Sequence, residues 1–510
     1  MSKLTKITIM LACFFAVDKV LAILRQIIIG RQFGLTHELD VFNVANNVPD
    51  LLFALISGGA LAMAFIPVLS DVITQDGRAA AWRLFSRIAN LAFLLSGALA
   101  LIVVIFAPQM IRSEIGIAPG FAAEQQTLTV ELMRLDLIAM LIFSISGLVM
   151  AGLQANQHFL FPAMAPLLYN IGQIFGAVIL APTQGYQIAG ITLPAYGMGI
   201  HGLVYGVILG ALMHLLIQVP GLIKNEFHWS PSLQLKDSAV QEVLRLMGPR
   251  LLTMFFIQLI FLVRDNLASR LAEGAVTALS YGYMFQQVPE TLIGTAIGTA
   301  LLPTLSEQIS KKDYQAFRQT VNRTINVLIS LTLPIAAIGS FALRPLLVFA
   351  FKFDDAGTDL LLWVTRGYFV GLTGHCLLEM AARSFYAQHE AKKPLYAAMI
   401  NVALYILFGT IFFRLWGAAG ISLTDSLAFT IQALVLLFWL RHSIRYRLDV
   451  GKSLLKAVVA AALSSGAIAV LIHFGTDALS PMLLGIVSVL VGLVIALPIV
   501  WNDVKMAFRL

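Results

Sequence analysis

The sequence predicts an all-α polytopic membrane protein with about fourteen transmembrane helices: two six-helix lobes related by an internal repeat, plus two C-terminal helices. Three observations carry this. Hydrophobic residues make up 59% of the 510-residue chain and charged residues 12%, with a mean hydropathy of +0.86, against roughly 45–50% and about 25% in soluble proteins. Apolar stretches long enough to cross ~30 Å of hydrocarbon recur along the whole chain. Motifs of the first half return in the second. A soluble fold of this composition could not cover its surface, so soluble enzymes, nucleic-acid-binding domains and secreted scaffolds are excluded. The net charge of +7 then points to basic cytoplasmic loops, and no nucleic-acid partner is expected.

The first span lies near 7–30. Behind Lys3 and Lys6 it superficially looks like a signal peptide. The apolar run, however, continues past Asp18 and Lys19 to about Gly30 without a small-residue cleavage site, so a retained helix is expected. Further spans are expected near 41–72, 85–111, 130–152, 161–182, 197–223, 240–269, 275–305, 320–345, 360–387, 393–413, 418–441, 452–473 and 479–501. Prolines mark the second and eighth; His375, Glu379 and Arg383 interrupt the tenth. No connection exceeds about twenty residues, and neither a Walker-type glycine loop nor an HExxH pair is present. There is no room for a soluble catalytic or nucleotide-binding domain, so a transporter rather than an enzyme is expected. Cys13 and Cys376 are too far apart for a disulfide framework. His158, His201, His214 and His375 show no metal-ligand spacing and read as incidental or at most proton-sensitive. No metal or cofactor is expected.

With the N-terminus inside, the predicted cytoplasmic segments hold eighteen basic residues, among them Arg78, Arg83, Arg87, Lys311, Lys312, Lys392, Lys393, Arg445, Arg447 and Arg509. The opposite side holds six: Arg31, Arg112, Arg270, Arg344, Lys352 and Arg414. That asymmetry places both termini in the cytoplasm and favours an even number of spans. Trp82, Trp363, Trp416, Trp439 and Trp501 fall at predicted helix ends, where interfacial anchors belong.

The repeat is read from matched motifs. Val48-Pro49-Asp50 and Pro67-Val68-Leu69-Ser70-Asp71 are echoed by Val288-Pro289-Glu290 and Pro303-Thr304-Leu305-Ser306-Glu307. Gln154-Ala155-Asn156-Gln157, Pro162 and Asn170 are echoed by Tyr386-Ala387-Gln388-His389, Pro394 and Asn401. The offsets drift only between 240 and 231 residues. Helix 2 maps onto helix 8, so each unit holds six helices and both enter the membrane in the same direction, a pattern of transporters with a cavity between halves. The expected organisation is an N-terminal lobe at 1–223, a C-terminal lobe at 224–450 and two additional helices at 451–510.

Charges inside spans are expensive, ~2.5–3.5 kcal/mol each near mid-bilayer. Helix 1 carries Asp18, Lys19 and Arg25; helix 7 carries Arg264 and Asp265. Asp18 and Arg25 are seven apart and share a helical face. Arg25 and Arg264 are 239 apart, equivalent positions of the repeat. They are either members of structural ion pairs or the cations of a cavity for an anionic head group. Asp40, just before helix 2, reads as an N-cap or the partner of a basic residue. Asp265 is a candidate ligand for a coupling cation, or simply neutralises Arg264. Glu379 and Arg383 have the spacing of an intrahelical salt bridge.

Several stretches resemble the MurJ (MviN) family of lipid II flippases: Ala118-Pro119-Gly120-Phe121, the run from Phe159 through Pro162 and Pro166 to Asn170, Leu301-Leu302-Pro303-Thr304-Leu305-Ser306, and Arg383-Ser384-Phe385-Tyr386-Ala387-Gln388 followed by Lys392-Lys393-Pro394. The resemblance runs the length of the chain in matching order. It implies a fourteen-helix member of the multidrug/oligosaccharidyl-lipid/polysaccharide exporter superfamily. The implied activity is flipping of undecaprenyl-pyrophosphate-linked peptidoglycan precursor to the outer leaflet of the bacterial cytoplasmic membrane, in cell-wall biogenesis. The implied partners are this lipid-linked anion, membrane lipids and cell-wall synthesis proteins. By the same resemblance Lys19 and Arg25 match the family's helix 1 basic pair and Asp40 its acidic residue before helix 2, giving Lys19, Arg25, Asp40 and Arg264 as substrate-binding candidates. The chain departs from the family at Phe53-Ala54 and at Met284, where basic residues are usual, and at Lys19, where a point charge replaces a bidentate fork. With no nucleotide site, energy would come from the membrane potential or a monovalent cation gradient. Two other readings stand beside this one: a flippase for another lipid-linked oligosaccharide or a drug/cation antiporter, and a non-transporting scaffold for cell-wall assembly.

Overall fold

The computed structural model describes residues 3–56, 59–188, 190–444, 449–476 and 478–507. Arg445, Arg447 and Arg509 lie outside the described residues, as do the side chains of Lys3 and Lys6.

The chain is helical nearly throughout. In order run α1 (Lys3–Phe33), α2 (His37–Ile56), α3 (Gly59–Arg112), α4 (Ala123–Ala155), α5 (Leu160–Phe175) with a π-helical turn Gly176–Leu180, α6 (Ile200–Leu216), α7 (Val219–Lys224) and α8 (Ser238–Ala268). Then follow α9 (Ala275–Glu290) with a π-helical turn Thr291–Thr295, α10 (Ala296–Ser310), α11 (Tyr314–Phe351), α12 (Asp355–Val370), α13 (Leu372–Ala387), α14 (Lys392–Ile444), α15 (Gly451–Gly475) and α16 (Pro481–Ala507). The one sheet among the described residues is a hairpin in the loop before α6, β1 (Gln187–Ile188) against β2 (Ile191–Thr192).

These elements trace fourteen spans. Two long runs each hold two of them: α3 breaks at Gly77 (φ 82°, ψ 172°) and α14 at Trp416-Gly417, where Gly417 sits at φ 57°. Both breaks need positive φ, which glycine adopts without steric cost. Among the described residues, ten helical stretches are long and apolar enough to cross a membrane. Two further helices carry charges in their apolar runs, Asp18, Lys19 and Arg25 in α1 and Arg264 and Asp265 in α8, and α12 and α13 are short helices of 16 residues each. Two boundaries differ from expectation. Residues 78–84, expected as a loop, are the first turns of the third span, and the tenth span is two helices parted at Gly371.

The chain forms two compact units, Met1–Arg270 and Leu271–Leu510. In the first, α5 packs on α6 through facing glycines: a Cβ on Gly172 would come within 2.4 Å of Gly210, and one on Gly176 within 2.7 Å of Gly206. Glycines four apart on both helices bring the backbones into contact, as small-residue seams do in lipid. The packing boundary at Arg270 lies beyond the repeat boundary at 223/224, and the reason is visible along α8. Asp237 caps its start and pairs with Arg87 of α3 at 2.5 Å, while Trp82 and Asn90 of α3 bond the loop before it at Asn225, Ser230 and Ser232. At its other end, Asn266 and Arg270 bond Glu114. Helix α8 is thus tied to the first unit at both ends.

In the second unit, α15 and α16 pack on α11. Ile338 and Ala342 of α11 join Ala460, Ile468, Ala496, Val500 and Val504 in one apolar cluster, and Gly492 abuts Ile338 and Ile468. A larger cluster gathers α10, α11, α13 and α14 around Phe317, Met380 and Phe385.

Candidate functional site

Helix α1 turns Asp18 and Arg25 toward α5. Asn170 of α5, 3% exposed, joins the two: its Nδ2 donates to Asp18 Oδ1 at 2.8 Å and its Oδ1 accepts from Arg25 Nη1 at 2.9 Å. An amide can serve an anion and a cation at once because it offers a donor and an acceptor. The heptad spacing of Asp18 and Arg25 is what lets one side chain reach both. Arg25 also lies over the Tyr169 ring, 5.9 Å from its centroid. Its Nε is buried and donates to nothing among the described residues. Lys19 is exposed on α1, and its charge reaches Asp18.

Around this pair lie groups that sequence reasoning did not single out as site residues. Asp50 on α2 is electrostatically coupled to Arg25, and Asp136 on α4 to Asp50; Tyr169 feels all three. Asp136 is 3% exposed, with Oδ1 unpartnered among the described residues. The signal for Asp50 was present in the Val-Pro-acid repeat motif, but it was used there only to align the halves. Asp136 is likewise a charge within an apolar run, inside the expected span 130–152, and no repeat motif or nearby basic pair drew it into the candidate set. Phe53, which stands where the resembling family has a basic residue, packs at 5.6 Å on Phe143, which packs at 4.9 Å on Tyr169 beneath Arg25. Aromatic packing occupies the place of that charge.

Arg264 and Asp265 are both buried in α8, and Arg264 Nε donates to Asp265 Oδ1 at 2.8 Å. Asp265 Oδ2 accepts from Asn47 Nδ2 of α2, and Arg264 lies over Phe261. The structure therefore brings Arg25 together with α5 and Arg264 together with α2. Asp265 is engaged through both oxygens by donors, the arrangement of an ion pair that locks α8 onto α2. Asp40 does not cap α2, whose first residue is His37. It lies in the first turn, 2% exposed, with its own N–H bonded to Thr36 O. A carboxylate there still meets the positive end of the helix dipole. Glu379 and Arg383 form the expected intrahelical pair at 2.9 Å.

What the arrangement in the first unit offers is a guanidinium fixed in direction by a buried asparagine and an aromatic face, with one N–H unused. Fixed in that way, it is a pre-organised donor for an anion. The chemistry such a held cation offers is binding.

A model of the lipid II flippase MurJ family matches residues 29–490. The lipid II flippase MurJ of Burkholderia cenocepacia is 28% identical over 437 residues, covering 84% of this chain and 82% of that protein. The probable lipid II flippase MurJ of Bdellovibrio bacteriovorus is 26% identical over 442 residues, covering 85% and 82%. Among solved structures, a lipid II flippase MurJ in an inward closed conformation superposes with a TM-score of 0.79 at 21% identity, over 98% of this chain and all of that one. An inward-facing multidrug resistance MATE family transporter of the MOP superfamily gives 0.68 at 16% identity, over 84% and 94%. These structures share the fold. With the family model running through twelve of the fourteen spans and into both flanking ones, this chain belongs to the lipid II flippase MurJ family.

Proposed function

We propose that this protein flips lipid II, the undecaprenyl-pyrophosphate-linked peptidoglycan precursor, from the inner to the outer leaflet of the bacterial cytoplasmic membrane by alternating access. The observation that carries the reading, beside family membership, is Arg25: a guanidinium inside a span, oriented by Asn170 and Tyr169 with Nε unused. A pyrophosphate cannot enter hydrocarbon unaccompanied, and a held arginine supplies the charge-assisted bonds that replace its water while the polyprenyl tail stays in lipid. Lys19 adds an exposed charge on the same helix. Arg264 and Asp40 belong to the proposed set through their positions in the repeat and at the start of α2. Both termini face the cytoplasm, cell-wall synthesis proteins take the product, and the membrane potential or a monovalent cation drives the cycle. Asp265 takes part in that coupling only if Arg264 and Asn47 turn away from it.

The test is rescue of a bacterial strain depleted of its own flippase. The wild-type chain should restore growth. Arg25→Ala should reach the membrane in normal amounts and fail, since losing charge-assisted bonds worth about 1.5–3 kcal/mol weakens substrate binding roughly ten- to hundredfold. Asp18→Ala with Arg25→Ala should fail as well; an active double variant would show that Arg25 only balances Asp18. Drug resistance without rescue would favour the antiporter. Rescue undiminished after neutralising Lys19, Arg25, Asp40 and Arg264 together would favour the scaffold.

A further inference from the structure

The second unit holds a buried ionisable cluster that the lipid-binding reading does not use. His375 of α13, 4% exposed, places Nε2 2.9 Å from Asp425 Oδ2 of α14 and Nδ1 3.8 Å from Glu290 Oε1 of α9. Phe429, one turn after Asp425, stacks on the imidazole with centroids 4.2 Å apart, so one face of α14 supplies both the carboxylate and the ring. Glycine makes the approach possible. A Cβ on Gly371 or Gly374 would overlap Ser426 or Thr430 of α14, and one on Gly294 would meet Cys376 beside the histidine. Glu290 ends α9 where the π-helical turn Thr291–Thr295 begins, a distortion often found at functional positions.

The groups facing the ring are few. Glu290 comes from α9, Asp425 from α14, and Glu379 with its partner Arg383 from α13 itself. Helix α11 contributes Thr332, bonded to Thr373, and α10 places Gly298 against Arg383. Glu379 and Arg383 cancel. Around a neutral imidazole, Asp425 and Glu290 place two carboxyl groups inside the span region, where a negative charge is costly unless it is paired or met by a proton or another cation. Gln286, fully buried one turn before Glu290, lies near enough to act on the Glu290 carboxyl group, but neither its amide atoms nor Glu290 Oε2 reaches full hydrogen-bond geometry with a described residue. The polar capacity here exceeds what the protein itself fills. No three of the described His, Cys, Asp and Glu side chains are arranged to hold a metal ion. With Nε2–H donated to Asp425, the Nδ1 lone pair faces a carboxylate oxygen, a gap that a proton closes.

The repeat sharpens the point. Glu290 corresponds to Asp50 at an offset of 240, whereas α4 (Ala123–Ala155) maps onto Asp355–Ala387 at 232 from end to end, which sets His375 opposite Phe143. The first half therefore keeps the carboxylate but has an aromatic ring where the second half has the imidazole, so the histidine site belongs to the second half alone.

We propose that His375, Asp425 and Glu290 form a proton-binding site within the second unit, loaded and unloaded as the protein changes access, so that a proton gradient drives the flipping proposed above. The proton adds to Nδ1 and gives an imidazolium held between two carboxylates; its release returns the neutral ring bonded to Asp425. The driving role rests on the flippase reading, whereas the titration does not.

Two experiments on the full-length protein separate these. In the first, the protein labelled with nitrogen-15 histidine is titrated in detergent from acid to alkaline pH by NMR. One imidazole signal, identified by its loss in His375→Gln, should pass between charged and neutral forms, and Asp425→Asn should lower its midpoint by about one pH unit, a tenfold loss of proton affinity. A ring that keeps one protonation state throughout, or ignores Asp425→Asn, overturns the site. A midpoint displaced when sodium chloride replaces choline chloride overturns it too, assigning the cluster to a metal cation. In the second, wild-type protein and His375→Gln in vesicles loaded with lipid II are given an imposed pH gradient. The wild-type rate should change with the gradient and that of His375→Gln should not. Equal responses refute the driving role. If nothing flips under any gradient while the titration behaves as stated, the flippase reading fails and the proton site stands.

Discussion

Asn170 shows how one residue can carry more of the site than the charges it serves. It bridges Asp18 and Arg25, while its repeat counterpart Asn401 instead donates to Gln432 of the same long α14. The two halves share the residue and differ in its use. Asn170→Ala should therefore strip both α1 charges of their common partner, costing about 1–3 kcal/mol, read as a lower unfolding midpoint in detergent; Asn401→Ala should leave Arg25-dependent rescue intact. If Asn170→Ala unfolds like wild type and still rescues, Asp18 and Arg25 pair without it. Arg25 was legible in the sequence because a charge within an apolar run stands out. Its orientation was not, since Asn170 lies 145 residues away. The same limit explains Trp82, which the sequence places as an interfacial anchor. It is 3% exposed, packs on Phe85 and Phe227 and donates to Asn225 O. His375 was likewise passed over, because its partners Glu290 and Asp425 come from two other spans.

At the scale of elements, hydropathy located the spans because membrane thickness dictates their length, whereas glycine decided how they meet. The α5–α6 seam is the clearest case. Gly206 faces Gly176, where a Cβ would lie 2.8 Å from its Cα. Gly206→Leu should push the helices apart and cost about 1–3 kcal/mol or more, seen as loss of the monodisperse peak in detergent size-exclusion chromatography. Gly97 of α3 is the control, since nothing lies within 4 Å of its Cβ position. Gly97→Ala should be tolerated and even favour the helix by up to about 1 kcal/mol. If both variants behave alike, close approach is not what holds α5 to α6. The seam was visible in sequence as Gly172, Gly176, Gly202, Gly206 and Gly210 at helical spacing; which helices it joined was not. The assignment of α8 to the first compact unit was equally hidden. It depends on Asn47, Glu114 and Trp82, none of which carries a pattern that hydropathy or the repeat could register.

For the whole molecule, the count of spans and the direction of each are one question. Arg78 follows the break at Gly77 and Asp354 precedes α12; both are exposed. Between them the chain passes the third to ninth spans, an odd number, so the two positions must lie on opposite faces of the membrane. The distribution of Lys and Arg assigns 78 to the cytoplasm. With Cys13 and Cys376 first changed to serine, a single cysteine at residue 78 should be protected from a membrane-impermeant thiol reagent in intact cells, and one at 354 should be labelled. A third at 445, a position outside the described residues, should be protected like the first. The pattern discriminates between errors. Labelling at 78 and 445 with protection at 354 would mean that the orientation is inverted but the count correct. Labelling of 78 and 354 together, or protection of both, would mean that one helix between them does not cross. In that case one half would hold an odd number of crossings, and the repeat of six helices could not describe the membrane topology. Detergent-permeabilised cells, in which all three positions must react, show that protection reflects sidedness rather than burial.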